Sequence, residues 1–123
     1  MSERRGSQRV PVDFWVREER GDFYFLYRCT DISESGMFLA GRRLDRKSLP
    51  VSGDSKFYIP LPEFNEVVIL RGQTAWQRNP HDLDQPSGSA ITFSFAPLKF
   101  LHAIRRIQKK FDGENLVTIN ESP

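Results

Sequence analysis

Apolar and polar residues alternate with period two through most of the chain. Val10, Val12, Phe14 and Val16 alternate with Pro11, Asp13, Trp15 and Arg17, the signature of a strand with one face buried. Glu18 to Asp22 is charged and carries Gly21, which predicts a turn. Phe23 to Thr30 is aromatic-rich and opens a second strand. Asp31 to Gly36 reads as a turn, and Met37 to Ala40 as a third short strand. Gly41 to Asp54 is a polar connection containing Pro50 and Gly53. Alternation returns in Ser55 to Leu61, with Phe57, Ile59 and Leu61 on one face. Pro62 to Asn65 turns the chain, and Glu66 to Gln77 is long and strongly β in composition. Asn79 to Ser87 is an exposed loop, and Ser89 to Ala96 is the last strand.

The period then changes to that of a helix. Pro97 stands in the first-turn position where proline is tolerated. Leu98, Leu101, Ile104, Ile107 (or Gln108) and Phe111 share a stripe, with Lys99, Arg105, Arg106, Lys109 and Lys110 on the opposite side or its edges. Asp112-Gly113 is the expected stop. The cations read as a solvated helix face. The pattern predicts an all-β fold, a small six-stranded antiparallel β-barrel with a C-terminal α-helix. Closure removes the exposed sheet edges. The expected organisation is a flexible N-terminal arm over 1–9, the barrel and helix over 10–112, and a loosely held tail over 113–123. Trp15, Phe23, Tyr24, Phe25 and Tyr27 are expected mainly in the core, because alternate positions must fill the barrel. Trp76 is assigned to the core or barrel wall, and Arg78 to the solvated surface.

Length and composition fit one soluble domain: 123 residues, 38% apolar and 28% charged. The net charge of +2 is too small for a general nucleic-acid coat. Cys29 stands alone, so neither a disulfide frame nor a CxxC metal pair is available, and it reads as a buried small apolar residue. His81 and His102 have no ligand-spaced partners, so no metal site is expected. No apolar run follows Met1-Ser2-Glu3-Arg4-Arg5, and no window approaches a membrane span; a cytoplasmic location is expected. No GxSxG, Walker loop, HExxH or dinucleotide fingerprint is present, and no enzyme is expected.

Two segments carry the candidate chemistry. Arg5-Gly6-Ser7-Gln8-Arg9 sets two arginines four apart, and Asp31-Ile32-Ser33-Glu34-Ser35-Gly36 places a carboxylate, a hydroxyl and a glycine in a tight turn. Guanidinium forks pair with phosphate or with the O6/N7 edge of guanine, and their planes stack on purines. Asp31 can accept from guanine N1–H and N2–H₂, and Ser33 can add a hydroxyl contact. Gly36 permits a positive φ or a close backbone approach. The set suits a guanine nucleotide with more than one phosphate.

RxxxR at Arg5 and Arg9, followed by DxSxxG at Asp31, Ser33 and Gly36, resembles the PilZ domain family, the bacterial receptor module for cyclic di-GMP (c-di-GMP). The similarity continues through Gly36-Met37-Phe38-Leu39, Arg71-Gly72-Gln73-Thr74-Ala75-Trp76 and Gly88-Ser89-Ala90-Ile91-Thr92-Phe93, covering about residues 4–111. It implies a barrel with c-di-GMP on its outer surface, clamped by the arm, and an ordering of the arm that alters a surface for a downstream protein partner, which the sequence does not name. It implies no other cofactor, and no nucleic-acid or membrane partner is expected. A long basic residue just before RxxxR accompanies an intercalated ligand pair in this family. Arg4 holds that place, so two c-di-GMP molecules per protomer are expected. The family's last strand often has glycine where this chain has Ala90, whose methyl would weaken a close approach. The competing readings are a nucleotide-independent PilZ-like scaffold for protein interaction and a small barrel for single-stranded nucleic acid.

Overall fold

The computed structural model describes residues 8–44, 54–61, 65–78 and 87–121, with the helical backbone alone over 113–121. Six strands, β1 (Val10–Arg20), β2 (Phe23–Ile32), β3 (Gly36–Ala40), β4 (Asp54–Leu61), β5 (Glu66–Arg78) and β6 (Gly88–Phe93), precede one helix, α1 (Leu98–Glu121). The strands close into an antiparallel barrel in the order β1-β2-β3-β6-β5-β4.

The period-two pattern does the sorting. In β4 the burial alternates residue by residue, putting Ser55, Phe57, Ile59 and Leu61 inward. β5 sends Val68 and Leu70 to the same interior, and β3 and β6 add Met37, Leu39, Ile91 and Phe93. α1 caps this core with Phe100, Ala103 and Ile104, all buried, and Phe93 meets Phe100 edge-to-face at 5.2 Å. Cys29 is fully buried, as its sequence context suggests.

Two strand boundaries and one helix end differ from the sequence pattern. β1 runs through Glu18, Glu19 and Arg20 before the tight turn at Gly21, whose φ is +58°. A charged run was enough to suggest a turn, yet Glu18 faces the barrel interior and is fully buried. Arg42, on the segment after β3, reaches in to meet it: Nε and Nη2 donate to the two carboxylate oxygens at 2.7 Å each, and Nη1 donates to Thr74 at 2.9 Å. Ser89 Oγ donates to the Arg42 carbonyl, and the Gln77 amide clamps both backbone groups of Leu44. The last strand ends at Phe93, short of Ala96. The helix, in turn, does not stop at Asp112-Gly113 but continues to Glu121. A helical glycine costs about 1 kcal/mol relative to alanine, far less than the ~3 kcal/mol of proline, so it weakens a helix without ending it.

Leu101, Ile104, Ile107 and Phe111 of the expected stripe of α1 pack on the core, and the buried face is wider than expected on one side. Phe100, Ala103, Ile104 and Gln108 are buried, whereas Leu98 is exposed. Several aromatics expected inside lie outside: Trp15, Phe23 and Tyr24 are each more than half exposed. The barrel interior is narrow and already filled by aliphatic side chains and Phe57; Trp15 and Tyr24 take the outer parity of β1 and β2, and Phe23, the first residue of β2, lies at the β1–β2 turn.

Candidate functional site

The two sequence motifs converge where β2 turns into β3. β1 begins beside the end of β2, with Pro11 opposite Asp31, which brings the residue just before β1 to the turn. There Arg9 Nη1 donates to Asp31 Oδ1 at 2.6 Å, with both side chains partly exposed. Arg4 and Arg5 lie outside the described residues.

The turn itself is held by Ser33. Its N–H donates to the Gly36 carbonyl at 2.8 Å, and its hydroxyl accepts from the Ser35 and Gly36 N–H groups at 3.2 Å each. Ser33 is buried, so its hydroxyl faces inward and shapes the loop instead of facing solvent. Gly36 serves packing: a Cβ there would run into the Ile91 carbonyl of β6. Its φ is not in the left-handed range, so the glycine answers a close approach and not a positive φ.

α1 braces both motifs. Arg105 reaches Glu34 of the turn at 3.2 Å. Gln108 donates to the Gln8 carbonyl at 2.8 Å, and Gln8 donates to Asp112 at 3.1 Å. Part of the basic helix face thus pairs with carboxylates of the barrel; Lys99 does the same with Glu66 at 2.5 Å.

Beside the Arg9–Asp31 pair lies a cleft of about 270 Å³ lined by Arg9, Thr30, Asp31, Phe38, Trp76 and Arg78. Phe38 and Trp76 approach at 5.9 Å, and the Arg78 guanidinium lies 5.0 Å and 5.3 Å from their ring centroids. Trp76 is therefore a half-exposed wall of the cleft and not a core residue, and Arg78 is a stacked cation beside it. A bulge between Thr74 and Trp76 re-aims that stretch of β5. Irregular ladders are invisible to a period-two reading; of the core or barrel-wall assignment, the wall is what the structure shows. Ala90, opposite Phe38 and Trp76, is buried behind this wall. Gly88 allows the Phe38 ring to lie against the β6 backbone, since a Cβ would come within 2.7 Å of it.

The site thus offers two cations, one carboxylate and two aromatic faces. Such a set can pair with phosphate, stack a planar base and accept from a base edge. Among the described residues no cluster of His, Cys, Asp and Glu could hold a metal ion, and no helix is long and apolar enough to cross a membrane.

Solved structures share this architecture. The fold is similar to that of the inhibitor of motility MotI/DgrA from Bacillus subtilis (TM-score 0.65, 14% identity, 85% of this chain and 49% of that one). It is also similar to MrkH from K. pneumoniae in its c-di-GMP complex (0.64, 15%, 90% and 53%). A third is PlzA from Borreliella burgdorferi in complex with c-di-GMP (0.54, 12%, 79% and 38%). The chain spans about half the length of the first two and less of the third. No curated protein matches it. The model of the PilZ domain family matches residues 3–108, nearly the whole barrel and most of the helix, and the chain belongs to the PilZ domain family.

Proposed function

We propose that this protein binds c-di-GMP on the outer barrel wall, between the N-terminal segment and the β2–β3 turn. The observation that carries the reading is the meeting of Arg9 and Asp31, one from each motif, beside the Phe38–Trp76–Arg78 cleft. Two fold neighbours were solved with c-di-GMP, which supports the choice of ligand.

Arg9 binds phosphate or a guanine face once the ligand competes for it. Asp31, released from Arg9, accepts from the guanine Watson–Crick edge, which adenine does not match. Trp76, Phe38 and Arg78 supply a stacking wall that the motifs alone do not include. Ser33 and Gly36 act through the shape of the turn. Arg4 and Arg5 add guanidiniums for the remaining phosphates. The cleft sits at the low end of ligand-pocket volumes, so a dinucleotide fills it with one base and extends over the surface toward the arm. A second c-di-GMP stacked on the first gives the pair expected from Arg4. Ordering of the arm over the barrel is the signal.

Calorimetric titration of the full chain with c-di-GMP tests this. Saturable heat at micromolar concentration, with a stoichiometry near two ligands per chain, is the expected result. An absence of heat at tens of micromolar protein, at low and moderate salt, would leave the nucleotide-independent scaffold.

A further inference from the structure

The outer wall on the β2-β1-β4-β5 side carries an apolar surface that ligand binding does not use. One straight row crosses four strands: Leu26 pairs with Arg17, Arg17 with Tyr58, and Tyr58 with Ile69. The neighbouring row adds Trp15, Pro60 and Val67. Trp15, Leu26, Val67 and Ile69 are each more than half exposed. Single exposed apolar residues are ordinary, but a contiguous set on one rigid sheet marks an interaction surface.

The surface is also indented. β1 and β4 pair only over Arg17–Glu19 and Lys56–Tyr58, so the seam that closes the barrel carries no ladder at Ile59, Pro60 and Leu61. A cavity of about 280 Å³ sits at that opening, with Trp15, Leu26, Pro60 and Val67 among its walls. Pro60 offers no N–H, so an incoming strand gains little there by hydrogen bonding and side-chain insertion is favoured.

Arg17 decides what fits. Its guanidinium stacks between Tyr58 at 4.1 Å and Tyr24 at 4.9 Å, held in place near the middle of the patch. Among the described residues no carboxylate pairs with it. Glu18 points inward to Arg42, and Glu19, the nearest acid on the outer face of β1, accepts instead from the Tyr58 hydroxyl at 2.8 Å. A second copy of this chain, docked by a twofold axis through the patch, would set one Arg17 against the other. A bilayer is a flat partner that leaves the indentation unfilled, and Arg28, opposite Trp15, is already held by Asp13 and adds no free cation for lipid headgroups. A protein segment that carries a carboxylate between apolar side chains satisfies both the cation and the indentation.

We propose that this face is a docking site for a partner-protein segment in which an Asp or Glu, flanked by bulky apolar residues, pairs with Arg17 while an apolar side chain enters the β1–β4 seam. This goes beyond c-di-GMP binding and does not depend on it.

The test selects a random-peptide display library on the full chain without c-di-GMP, then measures the affinity of the enriched synthetic peptides. The expected peptides carry an acid between apolar residues. Trp15→Ala and Arg17→Glu each weaken them at least about tenfold, as for an interface anchor. Both sites are on the outer wall, and unchanged circular dichroism melts confirm folding. Replacing the peptide acid by lysine restores binding to the Arg17→Glu protein. Enriched peptides that bind both variants as well as the wild type would overturn the proposal, as would an enrichment without acids. Self-association of the wild type that Trp15→Ala abolishes, or binding to phosphatidylglycerol vesicles through these residues, would equally overturn it. None of these readouts uses c-di-GMP, so failure here and failure of the ligand reading remain separate.

Discussion

Arg9 donates to Asp31 across 2.6 Å and so joins the N-terminal segment to the β2–β3 turn through the two side chains expected to hold ligand. Both are partly exposed, and an ion pair of this kind contributes under about 1 kcal/mol to stability. Arg9→Ala is therefore expected to leave thermal stability nearly unchanged. The same change should weaken c-di-GMP binding by at least about 2 kcal/mol, roughly thirtyfold, as for a charge-assisted contact. Asp31→Ala should in addition reduce the preference for c-di-GMP over its adenine analogue. Paired melts and titrations of the two variants check both halves.

Ser33 and Gly36 should behave in the opposite way, with stability moving first. Removing the Ser33 hydroxyl leaves the Ser35 and Gly36 N–H groups without their acceptor, at a cost of about 1–3 kcal/mol. Gly36→Ala pushes a methyl into the Ile91 carbonyl and forces β3 from β6, at a similar cost of about 1–3 kcal/mol. Denaturant melts should show both losses without ligand present.

Glu18 and Arg42 form a buried pair, and removing one partner strands the other. Arg42→Met should cost about 3–5 kcal/mol, whereas the double change Glu18→Met, Arg42→Met should recover most of that loss. Burial opposes ionisation of the Glu18 carboxyl. The hydrogen bonds and charge of Arg42, with help from Ser55 and Arg20, outweigh it and hold the carboxyl below its ordinary value of 4.5. A lowered folded-state pKa means the pair's stabilisation is fully present above that value and is lost as the pH falls through the folded one. Denaturant midpoints measured downward from pH 6 should fall below about 4.5, and less steeply in the double variant.

Cys29 provides a probe of opening. Burial and the nearby Asp31 charge push its thiol up to about 12, and its Sγ donates to the Asp31 carbonyl at 3.2 Å. Thiol reagents at pH 8 should leave the native protein unlabelled and react at once in denaturant. Prompt labelling of the native protein would show that the β2 end opens locally.

Much of this molecule was legible in its sequence, for physical reasons that also mark where legibility ended. A period of two sorts side chains between two environments, so the six strands and the aliphatic core from Val16 to Ile91 followed from it directly. The pattern does not report which face of a strand a long-range partner completes. Glu18 looked like part of a turn because its partner Arg42 lies in a distant polar stretch. Trp15 looked internal because aromatic residues usually are, and Trp76 read as core or barrel wall; register and a bulge put both on the outer wall. RxxxR and DxSxxG gave the polar half of the candidate site. Its stacking half, Phe38 of β3 with Trp76 and Arg78 of β5, comes from two strands that only the barrel brings together.

The two tryptophans offer the most direct measurement, because they stand on different faces of one barrel. In a ¹⁵N-labelled sample their indole N–H groups give two separate resonances. Saturation with c-di-GMP should shift the Trp76 indole strongly, together with the Arg9 and Asp31 amides, and leave the Trp15 indole in place. Saturable binding that moves Trp15 and leaves Trp76, Arg9 and Asp31 undisturbed would contradict the account.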